Sequence, residues 1–297
     1  MVATAFSRPS PLSAPDIAAA KGDGYPLVMV TAYDAPSARI VDQSGADMIL
    51  VGDSLAMVVL GYDDTLQVTT TEMAHHVAAV ARTKPRALIV GDLPWMSYHV
   101  SREETVRNAA MLVRAGAGAV KIEGGRKRLE ALSAILDSEI PVMGHLGLTP
   151  QSVRSIGGFK VQGRELVAAK AIVDDAVALA EAGCFAIVLE CVPDGVARMV
   201  TDAIDVPTIG IGAGRHCDGQ VLVFHDLVGL DDNKVPKFVR RYADMRGLGL
   251  DAVGRFVSDV RAGTYPSSEE TYHMTDRMTE ELSMDADIPI EIVSPLP

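Results

Sequence analysis

The stretch Asp47-Met48-Ile49-Leu50-Val51-Gly52-Asp53-Ser54-Leu55 decides the fold that we predict for this chain. Its apolar run does not alternate with polar residues, which is typical of a strand buried on both faces in a parallel sheet. Gly45 stands just before the stretch, where it is suited to end a helix. The acid Asp53 and the hydroxyl of Ser54 follow. We therefore predict a buried parallel strand with polar groups at its carboxyl end.

The same pattern, an apolar run that ends in an acid, recurs further along the chain. The later copies end in Asp92, Glu123 and Glu190. In a barrel of parallel strands, the carboxyl ends of all strands share one face. We therefore infer that these three carboxylates and Asp53 meet at one end of one sheet.

Eight apolar runs alternate with helical patterns, and this order predicts an α/β fold of the (β/α)8 TIM-barrel type. Such a barrel typically needs about 250 residues, so one barrel with extensions fits the chain of 297 residues. A doubly wound open sheet is the competing architecture. We favour the barrel because acids end strands throughout the chain, whereas an open sheet gathers its site at one switch point.

The predicted barrel is a single catalytic domain over residues 25–263. Residues 1–24 form an N-terminal extension with a short helix that caps the bottom of the barrel, and residues 264–297 form an acidic C-terminal tail. Within the barrel domain we expect the eighth strand at residues 221–224 and helices over residues 236–262.

The composition limits the partners of this protein. Acidic residues outnumber basic ones by 39 to 27, which gives a net charge of −12. We expect no nucleic-acid partner, because a polyanion requires a basic surface. Residues 275–297 carry six acids and one arginine, so we expect this part of the tail to be poorly ordered.

The cysteine pattern and the hydropathy predict a cytoplasmic location. The three cysteines form no CxxC pair, which indicates a reducing interior. The N-terminus lacks the apolar core of a signal peptide, and no apolar run reaches membrane-spanning length. We therefore expect a soluble protein with no membrane partner.

Asp53, Asp92 and Glu123 are candidate metal ligands. Clustered carboxylates repel one another unless a cation neutralises them, and oxygen ligands suit Mg²⁺. The alternative is that each Asp only caps the next helix. The recurrence of acids at successive strand ends favours the metal site.

Lys121 lies two residues before Glu123, so both side chains point to the same side of their strand. In a barrel that side is the interior, where an unpaired charge is costly. Lys121 is therefore a candidate anchor for a substrate carboxylate or enolate oxygen. The alternative is a salt bridge to a neighbouring acid.

Glu190, His145 and Ser54 complete the candidate site. Glu190 is the candidate general base, because a carboxyl group in apolar surroundings is suited to proton abstraction; the alternative is an ion pair with Lys121 or an arginine. His145 ends the fifth strand and either binds and polarises the substrate or is structural. Ser54 either donates to a substrate oxygen or caps a helix.

The glycine-rich run at residues 210–214 is a weak phosphate-loop candidate. Its spacing is not GxGxxG, and no GK[ST] follows. We expect a tight loop with close backbone approach instead.

The sequence resembles the ketopantoate hydroxymethyltransferase family over about residues 25–263. It departs from the family pattern at Ala56, where Gly is usual, and at Trp95, where Phe is usual. The matching phrases are VGDSL at 51–55, DLP at 92–94, VKIEGG at 120–125, GHLGLTPQ at 144–151, GGFKVQG at 157–163, LE at 189–190, IGIGAG at 209–214 and DGQ at 218–220.

The resemblance implies a Mg²⁺-binding TIM barrel that assembles as a homo-oligomer, commonly a decamer. It implies transfer of a hydroxymethyl group from 5,10-methylenetetrahydrofolate to 3-methyl-2-oxobutanoate, which gives 2-dehydropantoate in the first step of pantothenate biosynthesis. By position, the metal acids are Asp53, Asp92 and Glu123, the oxo-acid contacts are Asp53, Ser54, Asp92 and Lys121, and the base is Glu190.

This chemistry suits the residue types. Mg²⁺ bound to the oxo acid stabilises the enolate that forms when Glu190 takes the C3 proton, and Lys121 offsets the charge on oxygen. One rival is a carbon–carbon lyase of the isocitrate-lyase type, although its cysteine-containing loop is not visible in the sequence. Another is a binding barrel without catalytic activity, although every acid and the base are retained.

Overall fold

A computed structural model describes residues 11–231 and 235–284 of the chain. The chain divides into two compact units, Met1–Asp244 and Met245–Pro297. The predicted division into residues 1–24, 25–263 and 264–297 stays a prediction.

The first unit contains a closed barrel of parallel strands, each hydrogen-bonded to the strands before and after it in sequence. The predicted (β/α)8 architecture is therefore confirmed, and the open sheet is excluded. The strands are β1 (Leu27–Thr31), β2 (Met48–Val51), β3 (Leu88–Asp92), β4 (Ala119–Glu123), β5 (Val142–Gly147), β6 (Ala186–Glu190), β7 (Thr208–Ile211) and β8 (Gly219–Leu222).

Helices precede, connect and follow the strands. Those of the first unit are α1 (Ala14–Ala18), α2 (Ala35–Gln43), α3 (Leu55–Val58), α4 (Thr70–Ala81), α5 (Arg102–Ala115), α6 (Leu129–Leu136), α7 (Val153–Ile156), α8 (Leu166–Glu181), α9 (Asp194–Ala203) and α10 (Phe224–Val228). Those of the second unit are α11 (Met245–Ala262) and α12 (Asp276–Ser283).

Most strands are buried on both faces, as the uninterrupted apolar runs predict, whereas β1 and β8 each expose one residue, Val28 and Gln220. In β2 every residue is buried, but the side chains divide between two cores. Met48 and Leu50 pack in the barrel interior, whereas Ile49 and Val51 pack in the layer between the strands and the helices. The alternation of the strand therefore assigns each side chain to one core.

The same alternation directs the strand-end polar residues into the barrel. Lys121 and Glu123 follow the interior residue Ala119 at intervals of two along β4. Asp92, His145 and Glu190 each stand two residues after an interior apolar residue of their own strands. The predicted interior position of Lys121 is confirmed.

Helix α1 packs against the interior core, as expected for a cap helix. Its Ile17 is fully buried and belongs to the same apolar cluster as Met29 and Met48. Just after α1, Lys21 Nζ donates to Thr201 O at 2.8 Å and pairs with Asp218 Oδ2 at 2.9 Å. These contacts fasten the N-terminal segment to the end of β7 and β8 opposite the site.

Two predicted boundaries differ from the structure. The strand predicted at 221–224 is Gly219–Leu222, because Phe224 begins α10 and its N–H donates to Thr31 Oγ1 at 2.9 Å. The helix prediction over 236–262 is wrong for residues 236–244. In that segment Tyr242 N donates to Leu227 O of α10 at 2.9 Å, so its backbone bonds to α10 instead of to its own helix.

The second unit contains more order than the sequence predicts. Thr275 accepts a hydrogen bond from Met278 N at the start of α12, and Arg277 pairs with Glu281 at 2.8 Å. The prediction of a poorly ordered tail is wrong for α12. The residues of the tail from 285 onward lie outside the described residues. Across the described parts of both units, no helix is long and apolar enough to cross a bilayer.

The Asp218 carboxylate accepts several hydrogen bonds at the end of the barrel opposite the site, so replacing Asp218 is expected to destabilise the fold. Its Oδ2 accepts from Lys21 and from both Thr208 N (2.8 Å) and Thr208 Oγ1 (3.1 Å). We expect Asp218→Ala to lower the free energy of unfolding in urea by about 1–3 kcal/mol, because buried donors lose their acceptor. The exposed ion pair Arg198–Asp202 provides the control. Asp202→Ala is expected to change the free energy of unfolding by less than about 0.5 kcal/mol. Equal effects of the two variants would contradict this account.

Candidate active site

A cavity of about 920 Å³ lies at the carboxyl ends of the barrel strands. The structure brings all the predicted site residues to its wall, although they are far apart in sequence. The set is Asp53, Ser54, Asp92, Lys121, Glu123, His145 and Glu190.

Lys121 and its neighbouring acids form the centre of this wall. Lys121 Nζ lies 2.8 Å from Asp92 Oδ1 and 3.7 Å from Glu123 Oε1, and all three side chains are buried. Burial disfavours the charged ammonium, but the charges of Asp92, Glu123 and Asp53 outweigh this effect and raise the pKa of Lys121. Lys121 is therefore a permanent cation, and the salt bridge weighed from the sequence is present.

Asp53 is packed against Asp92 at the same end of the barrel. Asp53 N donates to Asp92 Oδ2 at 3.2 Å, and Asp53 Oδ2 accepts from Gln151 Nε2 at 2.9 Å. Burial raises the pKa of Asp53 well above its usual range, and the charges of Asp92 and Glu123 raise it further. Burial also raises the pKa of Asp92, although Lys121 opposes the shift. The cluster therefore carries excess negative charge that a proton or a cation would relieve.

The helix-capping alternative for these acids does not hold. The residue at the N-cap position of α3 is Ser54, and that of α5 is Ser101, so neither Asp53 nor Asp92 caps the helix after its strand. Ser54 makes no side-chain capping hydrogen bond either. Its hydroxyl instead shares a hydrogen bond of 2.8 Å with the hydroxyl of the buried Tyr33.

The donor set of this cluster fits a hard divalent cation. Asp92 Oδ1 and Glu123 Oε1 are buried oxygen donors that both face Lys121 Nζ, at 2.8 and 3.7 Å. Within residues 11–231 and 235–284, no three His, Cys, Asp or Glu side chains form a ready-made metal-binding group. Mg²⁺ is usually held by one or two carboxylates, with water and substrate oxygens completing its shell. The cluster matches this arrangement rather than a cage built from protein ligands alone.

His145 links the central cluster to Glu190. His145 Nδ1 lies 3.3 Å from Glu123 Oε1, and its Nε2 lies 3.2 Å from Glu190 Oε2. The Glu190 side chain is 16% exposed, whereas that of Glu123 is 2% exposed. Glu190 therefore reaches the cavity from a less buried position, and its partner is His145 rather than the lysine or arginine considered from the sequence.

Gln151 and Tyr98 are site residues that the sequence analysis did not assign. Gln151 N donates to Glu123 Oε2 at 3.1 Å, and Tyr98 OH donates to Gln151 Oε1 at 2.6 Å. Gln151 ends the GHLGLTPQ phrase, and its place in that phrase was the only signal of a role. No sequence pattern pointed to Tyr98, because it contacts Gln151 across 53 positions of the chain.

The glycine-rich run at residues 210–214 packs closely against its neighbours, as expected for a tight loop. Nothing in its geometry indicates a phosphate site. Gly212 has a φ of +64°, and a Cβ there would lie 2.8 Å from the ring of Phe238. Glycine is required because both the backbone angle and the approach of Phe238 exclude a side chain. Phe238, Lys237, Phe159 and Lys160 form the loop side of the cavity.

We expect His145 to be an imidazolium at neutral pH in the metal-free protein. Burial and Lys121, whose Nζ lies 3.3 Å from Nδ1, favour the neutral ring, but Glu123 and Glu190 outweigh them and raise the pKa of His145 to about 9. Because the pKa is raised in the folded state, the resulting stability is complete below the unfolded value near 6.5 and is lost as pH rises through about 9.

Nitrogen-15 NMR of the imidazole side chains measures this protonation state. Both nitrogens of His145 are expected to carry protons at pH 7.5, with His145→Gln identifying the signal. A neutral ring at pH 7.5 that accepts at Nδ1 from Lys121 would contradict the assignment.

The chain is similar in sequence to a protein family and to individual enzymes that share one name. A family model described as ketopantoate hydroxymethyltransferase matches residues 11–268. A 3-methyl-2-oxobutanoate hydroxymethyltransferase of Syntrophobacter fumaroxidans is 54% identical over 273 residues, covering 92% of this chain and 96% of that protein. One of the same name from Syntrophomonas wolfei is 53% identical, covering 86% of this chain and 93% of that protein.

Solved structures share the fold at much lower sequence identity. Phosphonopyruvate hydrolase has a TM-score of 0.57 and 12% identity, covering 93% of this chain and 96% of that one. A 2,3-dimethylmalate lyase of the PEP mutase/isocitrate lyase superfamily has a TM-score of 0.56 and 16% identity, covering 94% and 99%. These structures share only the fold with this chain, whereas the family match and the identity to the named relatives extend over most of its length. The chain therefore belongs to the ketopantoate hydroxymethyltransferase family.

Proposed function

We propose that this protein transfers a hydroxymethyl group from 5,10-methylenetetrahydrofolate to 3-methyl-2-oxobutanoate and so forms 2-dehydropantoate, the first step of pantothenate biosynthesis. The observation that carries the proposal is the arrangement around His145. One carboxylate, Glu190, faces the cavity beside a buried cluster in which Lys121 lies among Asp53, Asp92 and Glu123. A base beside a charge-stabilising cluster is what removal of a proton next to a carbonyl group requires.

The buried cluster provides the binding end of the site. Asp53, Asp92 and Glu123 would hold Mg²⁺, as their oxygen donors and the excess negative charge support. When bound, Mg²⁺ supplies Lewis acidity that polarises the keto and carboxylate oxygens of an oxo acid. Lys121 adds a fixed positive charge for the same oxygens, and the Ser54 hydroxyl, oriented by Tyr33, is a further donor.

Glu190 provides the reactive end. It takes the proton from C3, and the electrons of the broken C–H bond pass into the enolate, whose oxygen charge Lys121 offsets. The C3 carbon then forms a bond to the methylene carbon, the two bonds from that carbon to the folate nitrogens break, and water supplies the hydroxyl group. The C3 proton and the remaining water proton go to the two nitrogens, and tetrahydrofolate leaves. His145, held between Glu123 and Glu190, orients the base through its 3.2 Å contact with Glu190 Oε2.

A lyase reaction is less well supported by the cysteines of this site. Cys191 lines the cavity next to Glu190, but burial raises its pKa to about 11. Its thiol is therefore protonated at neutral pH and is a poor nucleophile or acid–base group.

The cysteines Cys184, Cys191 and Cys217 are all unpaired, which supports a cytoplasmic location. We also propose a homo-oligomer, commonly a decamer in this family, which light scattering would measure.

Replacement of Glu190 by Gln is expected to stop proton removal. NMR of 3-methyl-2-oxobutanoate in deuterated solvent with Mg²⁺ follows exchange at C3 without the folate, and we expect the rate to fall by about 10²–10⁴-fold. The exposed Glu165, before α8, provides the control, and Glu165→Gln is expected to exchange at the normal rate. Normal exchange by Glu190→Gln would exclude Glu190 as the base, and absence of product from the unmodified protein with both substrates would refute the proposed reaction.

The loop side of the cavity is expected to bind the folate. Of the described residues that line the cavity, Lys160 and Lys237 are the lysines outside the acid cluster, and Phe159 and Phe238 are nearby aromatic rings. Cations suit the anionic glutamate of a folate, and aromatic rings suit its flat heterocycle.

Steady-state kinetics of the variant Lys160→Ala/Lys237→Ala tests this placement. We expect the KM for methylenetetrahydrofolate to rise by about tenfold or more, because each lost charge contact is worth about 1 kcal/mol, while C3 exchange stays normal. Lys170→Ala, on the exposed part of α8, is the matched control. An unchanged folate KM in the double variant would place the folate elsewhere.

A further inference from the structure

Both amide hydrogens of Gln151 and one lone pair of its carbonyl oxygen are used in hydrogen bonds at the acid cluster. Its Nε2 donates to Asp53 Oδ2 and to Leu93 O, each at 2.9 Å, and its Oε1 accepts from Tyr98 OH at 2.6 Å. Gln151 is 6% exposed and Tyr98 is 3% exposed. A buried amide with every partner in place has one defined orientation.

The hydroxyl of Tyr98 fixes which way this amide points. Glu123 N donates to Tyr98 OH at 3.1 Å, and of the two acceptors near the hydroxyl, Gln151 Oε1 at 2.6 Å is much closer than Glu123 O at 3.4 Å, so the hydroxyl hydrogen goes to Gln151. With Oε1 occupied, the NH₂ group of Gln151 must face Asp53 and the carbonyl of Leu93.

The backbone of Gln151 reaches a second acid. Gln151 N donates to Glu123 Oε2 at 3.1 Å. One residue therefore engages one oxygen of Asp53, which follows β2, and one oxygen of Glu123, which ends β4. The other Glu123 oxygen, Oε1, is buried and faces His145 Nδ1 at 3.3 Å and Lys121 Nζ at 3.7 Å.

We propose that Gln151, held by Tyr98, is a positioning residue that turns a chosen oxygen of Asp53 and of Glu123 toward a divalent cation. The inference rests on the proposed function, since it concerns the cation that these acids would hold. An amide suits this task because it donates to a carboxylate without adding charge, whereas a Glu or Lys at the same place would repel or neutralise the acids.

Calorimetric titration of the metal-free full chain with Mg²⁺ tests the inference without any turnover. Partners behind metal ligands are typically worth about 10–100-fold in metal affinity, and we expect a loss in this range for Gln151→Met, which keeps the length and removes the amide. Tyr98→Phe is expected to weaken binding in the same direction by about threefold or more, because Gln151 stays but can rotate. This second variant keeps the test decisive if Gln151→Met folds poorly.

Thr105→Val is the matched control for loss of a buried hydrogen bond. Thr105 is 1% exposed and donates to Ser101 O at 2.7 Å within the start of α5, so it contacts no acid of the site. We expect its Mg²⁺ affinity to stay within about twofold of that of the unmodified protein, even where its thermal midpoint falls as much as those of the site variants.

The outcomes separate this inference from the proposed function. Mg²⁺ affinity within twofold of the unmodified protein for both Gln151→Met and Tyr98→Phe would overturn the positioning role alone. Affinity losses that match that of Thr105→Val would assign Gln151 a purely structural role and overturn it as well. Absence of Mg²⁺ binding by the unmodified protein would overturn both this inference and the metal site on which it rests.

Discussion

The site depends on one buried cation, the ammonium of Lys121 among Asp92, Glu123 and Asp53. Burial of so many charges is costly, and it persists only when charges are paired and their remaining lone pairs are satisfied. Lys121 pairs with two acids, Gln151 and backbone N–H groups satisfy several carboxylate oxygens, and His145 joins Glu123 to Glu190. Burial nevertheless raises the pKa values of Asp53 and Asp92, and the charges of Asp92 and Glu123 raise that of Asp53 further.

The positions of the candidate site side chains could be predicted from the sequence where strand geometry dictates them. The two-residue alternation along β4 directs Lys121 and Glu123 into the barrel, and the parallel order of strands brings Asp92, His145 and Glu190 to the same end. The roles of Gln151 and Tyr98 could not be predicted, because loop conformation and contacts across distant parts of the chain decide them. The same limit explains the missed boundary at 236–244, where bonds to α10 override local helical preference.

The fold and the chemistry of this protein are separate conclusions. The barrel is shared with phosphonopyruvate hydrolase and 2,3-dimethylmalate lyase at 12% and 16% identity, so the architecture alone does not distinguish hydrolase, lyase and transferase reactions. The reaction is inferred from family membership and from the groups at the strand ends of this chain. The proposed transfer follows from those groups, since a base, a fixed cation and a cluster of oxygen donors are what enolate chemistry at an oxo acid requires.

A crystal structure with Mn²⁺ in place of Mg²⁺ and with 3-methyl-2-oxobutanoate tests the central claim most directly, because anomalous scattering locates the ion. We expect an ion peak between the acid cluster and the oxo-acid oxygens, with C3 facing Glu190 and Lys121 beside the substrate oxygens. An ion bound away from Asp53, Asp92 and Glu123, or an oxo acid whose C3 points away from Glu190, would contradict it.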